Sequence, residues 1–185
     1  MSGLTEKRLQ NKRFMHSEEA IICAFLSVRD CVSVDLLISR AQVSRSTFYR
    51  HHKNVRRIVL DYEDYLLNKF AKTMESWEEN KELRFYFKQL LIFIVANKKI
   101  VLFLVQHGEK GVLEGLIMEL EPTIIRKIRM PKWAKTAIKV YRSEIMGLLE
   151  KWAEEDFYEG KLNKVLENIV YLTASARERL VKLDN

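Results

Sequence analysis

An all-α fold in two parts is what this sequence predicts: a three-helix head over residues 1–53 and a helical bundle over residues 54–185. Three observations lead there. The chain has only 6 Gly and 2 Pro in 185 residues, so few positions interrupt a helix. Its apolar residues recur at three- and four-residue spacing, with few alternating runs of the kind a half-buried strand needs. The formal charge of +7 is unevenly placed: residues 1–60 hold 11 Lys/Arg against 5 Asp/Glu, and residues 61–185 hold 21 against 20. A basic head beside a nearly neutral body is the footprint of a segment that meets a polyanion, because neutralising phosphates releases condensed counterions.

Residues 1–15 form a basic leader with Lys7, Arg8, Lys12 and Arg13. The first helix is expected from Ser17 to Val28, burying Ala20, Ile21, Ala24, Phe25 and Val28, with Ser17 as N-cap and Glu18-Glu19 at the positive end of its dipole. Ser33 opens a second helix whose buried face is Val34, Leu37, Ile38 and Ala41; Gln42-Val43 breaks the pattern. Ser44 then caps a third helix, Arg45 to His51, anchored by Val43 and Phe48. A long helix follows from Asn54, and Glu75 to Lys81 is a charged break. Glu82 to Ala96 is apolar on more than one face, as a central bundle helix must be. Lys98 to His107 is a short helix ended by Gly108. Val112 to Leu120 continues past a kink or new turn at Pro122 to Ile128. Pro131 starts a helix running to Phe157, Gly160 breaks the chain, and Leu162 to Leu183 closes it.

The segment Ser33 to Lys53 carries the chemistry. Two short helices at a tight turn make a helix-turn-helix, and the second presents Arg45, Ser46, Thr47, Tyr49 and Arg50 away from its anchors. Arg45 and Ser46 lie in its first turn, where side chains reach base edges most easily, and Thr47 and Tyr49 offer hydroxyls of the kind that hold phosphates. Lys53 adds charge beyond it. The pattern Ser33-Val34, then Ala41-x-Val43-Ser44-x-Ser46-Thr47-Phe48-Tyr49-x-His51-His52-Lys53, resembles the DNA-binding domain of the TetR/AcrR repressor family over about 20 residues. The resemblance implies phosphate contacts from Ser33, Thr47, Tyr49 and His51 and base contacts from Arg45 and Ser46; Ser44, Arg50 and Lys53 complete the expected set. It departs where Gln42 stands for the usual turn glycine, which implies positive φ at some cost. It departs again where Val55 stands for a lysine, and in a shortened connection ahead of Ser33.

The resemblance further implies a homodimer on a palindromic double-stranded DNA operator, repression as the default, and control by a small apolar ligand or partner in the bundle. Phe85, Phe87, Phe93, Phe103 and Tyr141 are expected either to line that ligand's pocket or to be plain core. The last two helices carry stripes from which Leu148, Leu149, Trp152, Ile169, Leu172 and Ala176 are expected to face the symmetry mate. A dimeric co-regulator, or a small-molecule-binding helical protein that has lost operator binding, is the alternative. His51 and His52 adjoin on one helix and point in different directions, so they are read as phosphate contacts or helix-end cations rather than ligands of one site. Cys23 and Cys31 stand in no metal-ligand spacing, so no metal or cofactor is expected. No catalytic constellation is visible, and an enzyme is not expected. The longest apolar run, Leu90 to Ala96, is far below the roughly 20 residues of a membrane span. A cytoplasmic protein is therefore expected.

Overall fold

The computed structural model describes residues 12–28, 32–79, 81–106, 111–128 and 135–183. Among them the chain is all-α, with no strand. The helices are α1 (Lys12–Leu26), α2 (Val34–Ala41), α3 (Arg45–His51), α4 (Val55–Glu75), α5 (Leu83–Ala96), α6 (Lys98–Gln106), α7 (Gly111–Ile128), α8 (Lys135–Ala153) and α9 (Leu162–Leu183), with a 3-10 turn at Glu159–Lys161. Two compact units result, Met1–Tyr62 and Glu63–Asn185. The division falls inside α4, not ahead of it at Asn54. Residues 1–11 of the leader, together with Cys31, His107, Gly108, Pro131 and Trp133, lie outside the described residues, and residues 12–15 of it belong to α1.

In the first unit α1 packs on both α2 and α3, and these pack on each other. Ile21, Ala24, Phe25 and Val28 from the first segment meet Leu37, Phe48, Ile58 and Val59 in the core. Burying a side chain such as Leu37 or Phe48 contributes roughly 1.5–3 kcal/mol each. α1 begins at Lys12, so Ser17 lies within the helix instead of capping it. Arg40 on α2 donates to Ser27 O at 3.1 Å and reaches Ser27 Oγ at 2.9 Å, tying the end of α2 to the end of α1.

In the second unit α5 is central, packing on α6, α7 and α9. Tyr86, Phe87, Leu90, Leu91, Phe93 and Ile94 are buried, as an all-round apolar helix requires. α5 and α6 bend by 83° at a break where Asn97 Nδ2 donates to Phe93 O at 2.8 Å and Asn97 Oδ1 accepts from Lys69 Nζ at 2.9 Å. No single helix among the described residues is long and apolar enough to cross a membrane. α7 runs through Pro122 as one helix.

One expectation about this unit fails. Leu149, Trp152 and Ile169 are buried within the chain and cannot face a symmetry mate, while Leu148, Leu172 and Ala176 are half-buried. The reason is that α8 and α9 pack on each other and α9 also packs on α5, so the inner part of both stripes is covered internally. In the aromatic set Phe87, Phe93, Phe103 and Tyr141 are buried and Phe85 is half-buried. Phe93 lies 4.9 Å from Phe70, and Phe85 packs edge-on to Trp77 at 6.0 Å. The Tyr141 hydroxyl donates to Thr173 Oγ1, whose own hydrogen goes to Ile169 O at 2.7 Å. The clefts described, of about 350 to 460 Å³, are lined by other side chains.

The turn between α8 and α9 also differs from expectation. α8 ends at Ala153, and the chain reverses through Asp156 (φ 53°) and Phe157 (φ 46°), neither of them glycine. Phe157 is fully buried, 5.1 Å from Trp152, whose Nε1 donates to Tyr158 O at 3.0 Å. Gly160 sits in the 3-10 turn instead of making the break.

Candidate nucleic-acid interface

The local geometry of α2 and α3 follows from their caps. Ser33 accepts from Leu36 N at 3.2 Å and starts α2. Gln42 ends it in the left-handed region, φ 54° and ψ 39°, and the Val43 N–H reaches Ile38 O at 3.2 Å across the turn. Ser44, extended, accepts from Thr47 N at 3.1 Å and starts α3. Phe48 is fully buried and fixes which side of this seven-residue helix faces inward.

The outward side carries Arg45, Ser46, Tyr49 and Arg50, all exposed, with Lys53 exposed just beyond. Tyr49 is 48% exposed and stands edge-on to Phe48 at 5.5 Å, which props its phenol outward. Thr47 is half-buried, and Ser44 Oγ lies 2.8 Å from its hydroxyl and 2.9 Å from that of Ser46. The hydroxyls of Ser33 and Ser44 are therefore occupied in capping, although both residues are exposed at the helix starts. Arg45 is paired with Asp35 of α2, both well exposed. Such a surface pair contributes about 0–1 kcal/mol and is easily exchanged for another acceptor.

His51 departs from the phosphate role expected of it. Its side chain is 0% exposed, with Nδ1 2.6 Å from Glu18 Oε2 on α1 and Nε2 2.8 Å from Ser17 Oγ. A ring buried between Glu18 and Ser17 is not available to a backbone phosphate. His52, equally buried, places Nε2 3.1 Å from the other Glu18 oxygen and Nδ1 3.6 Å from Asp61 Oδ2. The two histidines thus do share one carboxylate. His52 follows the end of α3 in extended conformation (φ −133°), which turns its ring back toward α1. Asp61 is held in turn by Arg57, one turn earlier on α4, at 2.7 Å.

Of these residues the sequence placed Glu18 at a helix dipole and His52 at a phosphate or helix end, and it did not bring them together or single out Asp61. The contacting residues are too far apart along the chain to produce a local pattern; only the adjacent histidines at a helix end hint at them. Among the described residues no group of three or more His, Cys, Asp or Glu is placed to hold a metal ion. No family model, curated protein or solved structure matches the chain.

Proposed function

We propose that the chain is a DNA-binding transcriptional regulator of the TetR/AcrR type, a repressor by default, whose first unit grips duplex DNA through a helix-turn-helix formed by α2 and α3. The observation that carries this is the outward side of α3: Arg45, Ser46, Tyr49 and Arg50 exposed on a helix pinned by one buried phenylalanine, within the basic part of the chain. Arg45 serves as base reader, exchanging Asp35 for a base edge; Tyr49, Arg50 and Lys53 hold phosphates. A helix this short contacts one half-site, so the operator is palindromic and the protein a homodimer. With the inner stripe residues covered, pairing falls to the outer faces of α8 and α9, where Val140 is 52% and Tyr171 73% exposed. Control by a small ligand or protein partner acting on the second unit completes the reading.

The test is a mobility shift with random duplex at two salt concentrations. A protein making roughly 6–10 phosphate contacts loses about three to five decades of affinity between about 50 and 200 mM salt. Weak binding with a flat salt dependence would overturn the proposal. The second reading, a dimeric co-regulator without operator binding, draws support from the burial of His51, which takes one expected contact out of reach. It predicts a dimer that binds no duplex at either salt.

A further inference from the structure

Between Ser33 and Lys53 the Lys and Arg side chains are Arg40, Arg45, Arg50 and Lys53, and the single carboxylate is Asp35. Asp35 stands in the first turn of α2 and Arg45 leads α3, and the turn at Gln42 brings the two side chains into direct contact. The pair is open to water, with 62% of the Arg45 side chain and 76% of the Asp35 side chain exposed. An ion pair this exposed adds little to the stability of the fold. Helix α2 does gain from an acid near its N-terminus, but that gain does not require the acid to touch Arg45. A negative charge on the side that meets a polyanion also works against binding it.

Base-edge chemistry gives that carboxylate a use. A carboxylate only accepts hydrogen bonds. In the major groove guanine presents acceptors alone, and thymine an acceptor and a methyl group. Cytosine presents its N4 amino donor, and adenine an amino donor beside an acceptor. Cytosine therefore suits a carboxylate best, and guanine and thymine repel it. Arg45 is the opposite case, because a guanidinium only donates and matches the O6 and N7 acceptors of one guanine. Successive bases on a strand are about 3.4 Å apart along the axis, a step that two side chains in direct contact can span.

We propose that Asp35 is a second base reader coupled to Arg45: on DNA the pair opens, Arg45 takes a guanine, and the freed carboxylate takes the amino group of a cytosine in the neighbouring base pair. The inference rests on the regulator reading above and adds to it part of the half-site, a guanine and a cytosine in adjacent pairs. The same exchange penalises wrong sequences. Where the base within reach is guanine or thymine, Asp35 loses Arg45 and gains no donor, which leaves an unpaired charge in the groove. Discrimination then comes from repulsion as much as from attraction. In the free protein the pair restrains both side chains, so less freedom is lost when they meet the bases.

The experiment selects duplexes from a random pool with the full chain, comparing wild type with Arg45→Ala, Asp35→Ala, Asp35→Asn and Asp35→Glu. Arg45→Ala marks the guanine position by losing it. At the adjacent position wild type is expected to favour cytosine about tenfold over guanine or thymine, toward the lower end of what a base contact gives. Asp35→Ala should flatten that position and Asp35→Glu should keep cytosine. Asp35→Asn should turn it to adenine, whose N6 and N7 suit an amide. Losing the charge should also strengthen the binding of Asp35→Ala to random duplex, whereas losing a merely structural residue would weaken it. An unchanged adjacent position in Asp35→Ala, or a loss confined to the guanine position, would overturn the inference and leave the regulator reading standing. Should Asp35→Ala unfold the first unit, the switch from cytosine to adenine in Asp35→Asn decides. A wild type that binds duplex without base preference sinks the inference alone, and one that binds no duplex sinks the regulator reading with it.

Discussion

Replacing Gln42 by glycine isolates the strain at the α2–α3 turn. Gln42 is exposed and sits at φ 54°, ψ 39°, where a side chain's Cβ crowds the backbone at a cost of roughly 1–2 kcal/mol. Glycine removes that penalty and keeps the Gln42 and Val43 N–H groups on Ile38 O. Against it stands the larger freedom of glycine in the unfolded chain, about 0.5–1 kcal/mol. The net expectation is a gain of about 0.5–1 kcal/mol, which for a unit of this size is on the order of 2–8 °C in midpoint. Exchange of the α2 and α3 amides that open with this unit should slow roughly two- to fivefold. Gln42→Ala keeps the strain and should change little, which makes it the control. If Gln42→Gly is neutral or destabilising while Gln42→Ala is neutral, the turn is not strained by its side chain and the argument from positive φ is wrong.

Other outcomes follow from the same structure. Ile169→Glu places an unpaired charge in the core of the second unit and should cost at least about 3–5 kcal/mol, seen as loss of cooperative melting by circular dichroism instead of clean dissociation to folded monomers. Burial raises the Tyr141 phenol above its ordinary 10.0, so its contribution is full below about pH 10 and is lost as pH rises further, because the unfolded tyrosine ionises first. Tyr141→Phe should remove that alkaline limb in urea titrations and cost about 1 kcal/mol at pH 7 for the lost hydrogen bond. Tyr49→Phe should weaken binding to all duplexes alike, whereas Arg45→Ala should relax preference at one operator position by about 1–3 kcal/mol in selections from a random pool. Parallel shifts in both variants would rule out that division of labour.

What was legible along the chain was local chemistry. Ser33 and Ser44 announce α2 and α3 because a hydroxyl before an apolar-periodic run satisfies an orphan N–H, and both caps are present. A bulky residue where a glycine is customary foretells positive φ, and Gln42 adopts it. Destinations of side chains were not legible. A stripe containing Leu149, Trp152 and Ile169 shows that a face is covered without showing by what, and the cover is the chain's own neighbouring helices. His51 sits in a phosphate-holding pattern, yet Glu18, far back on α1, draws its ring inward. Asp156 and Phe157 make a reversal without glycine, because burial of one aromatic ring outweighs backbone preference.

That reversal has a consequence for how the chain tolerates changes of length. Surface connections ordinarily accept an extra residue, since little is fixed across them. Here register is fixed at two points at once: Phe157 is seated 5.1 Å from Trp152, and the Trp152 indole is bonded to the carbonyl of Tyr158. One residue inserted between Ala153 and Phe157 would shift the ring from its seat or pull Tyr158 off the indole. The corner behaves as a peg in a hole and not as a hinge. Insertions there should therefore be purged from any library selected for folding.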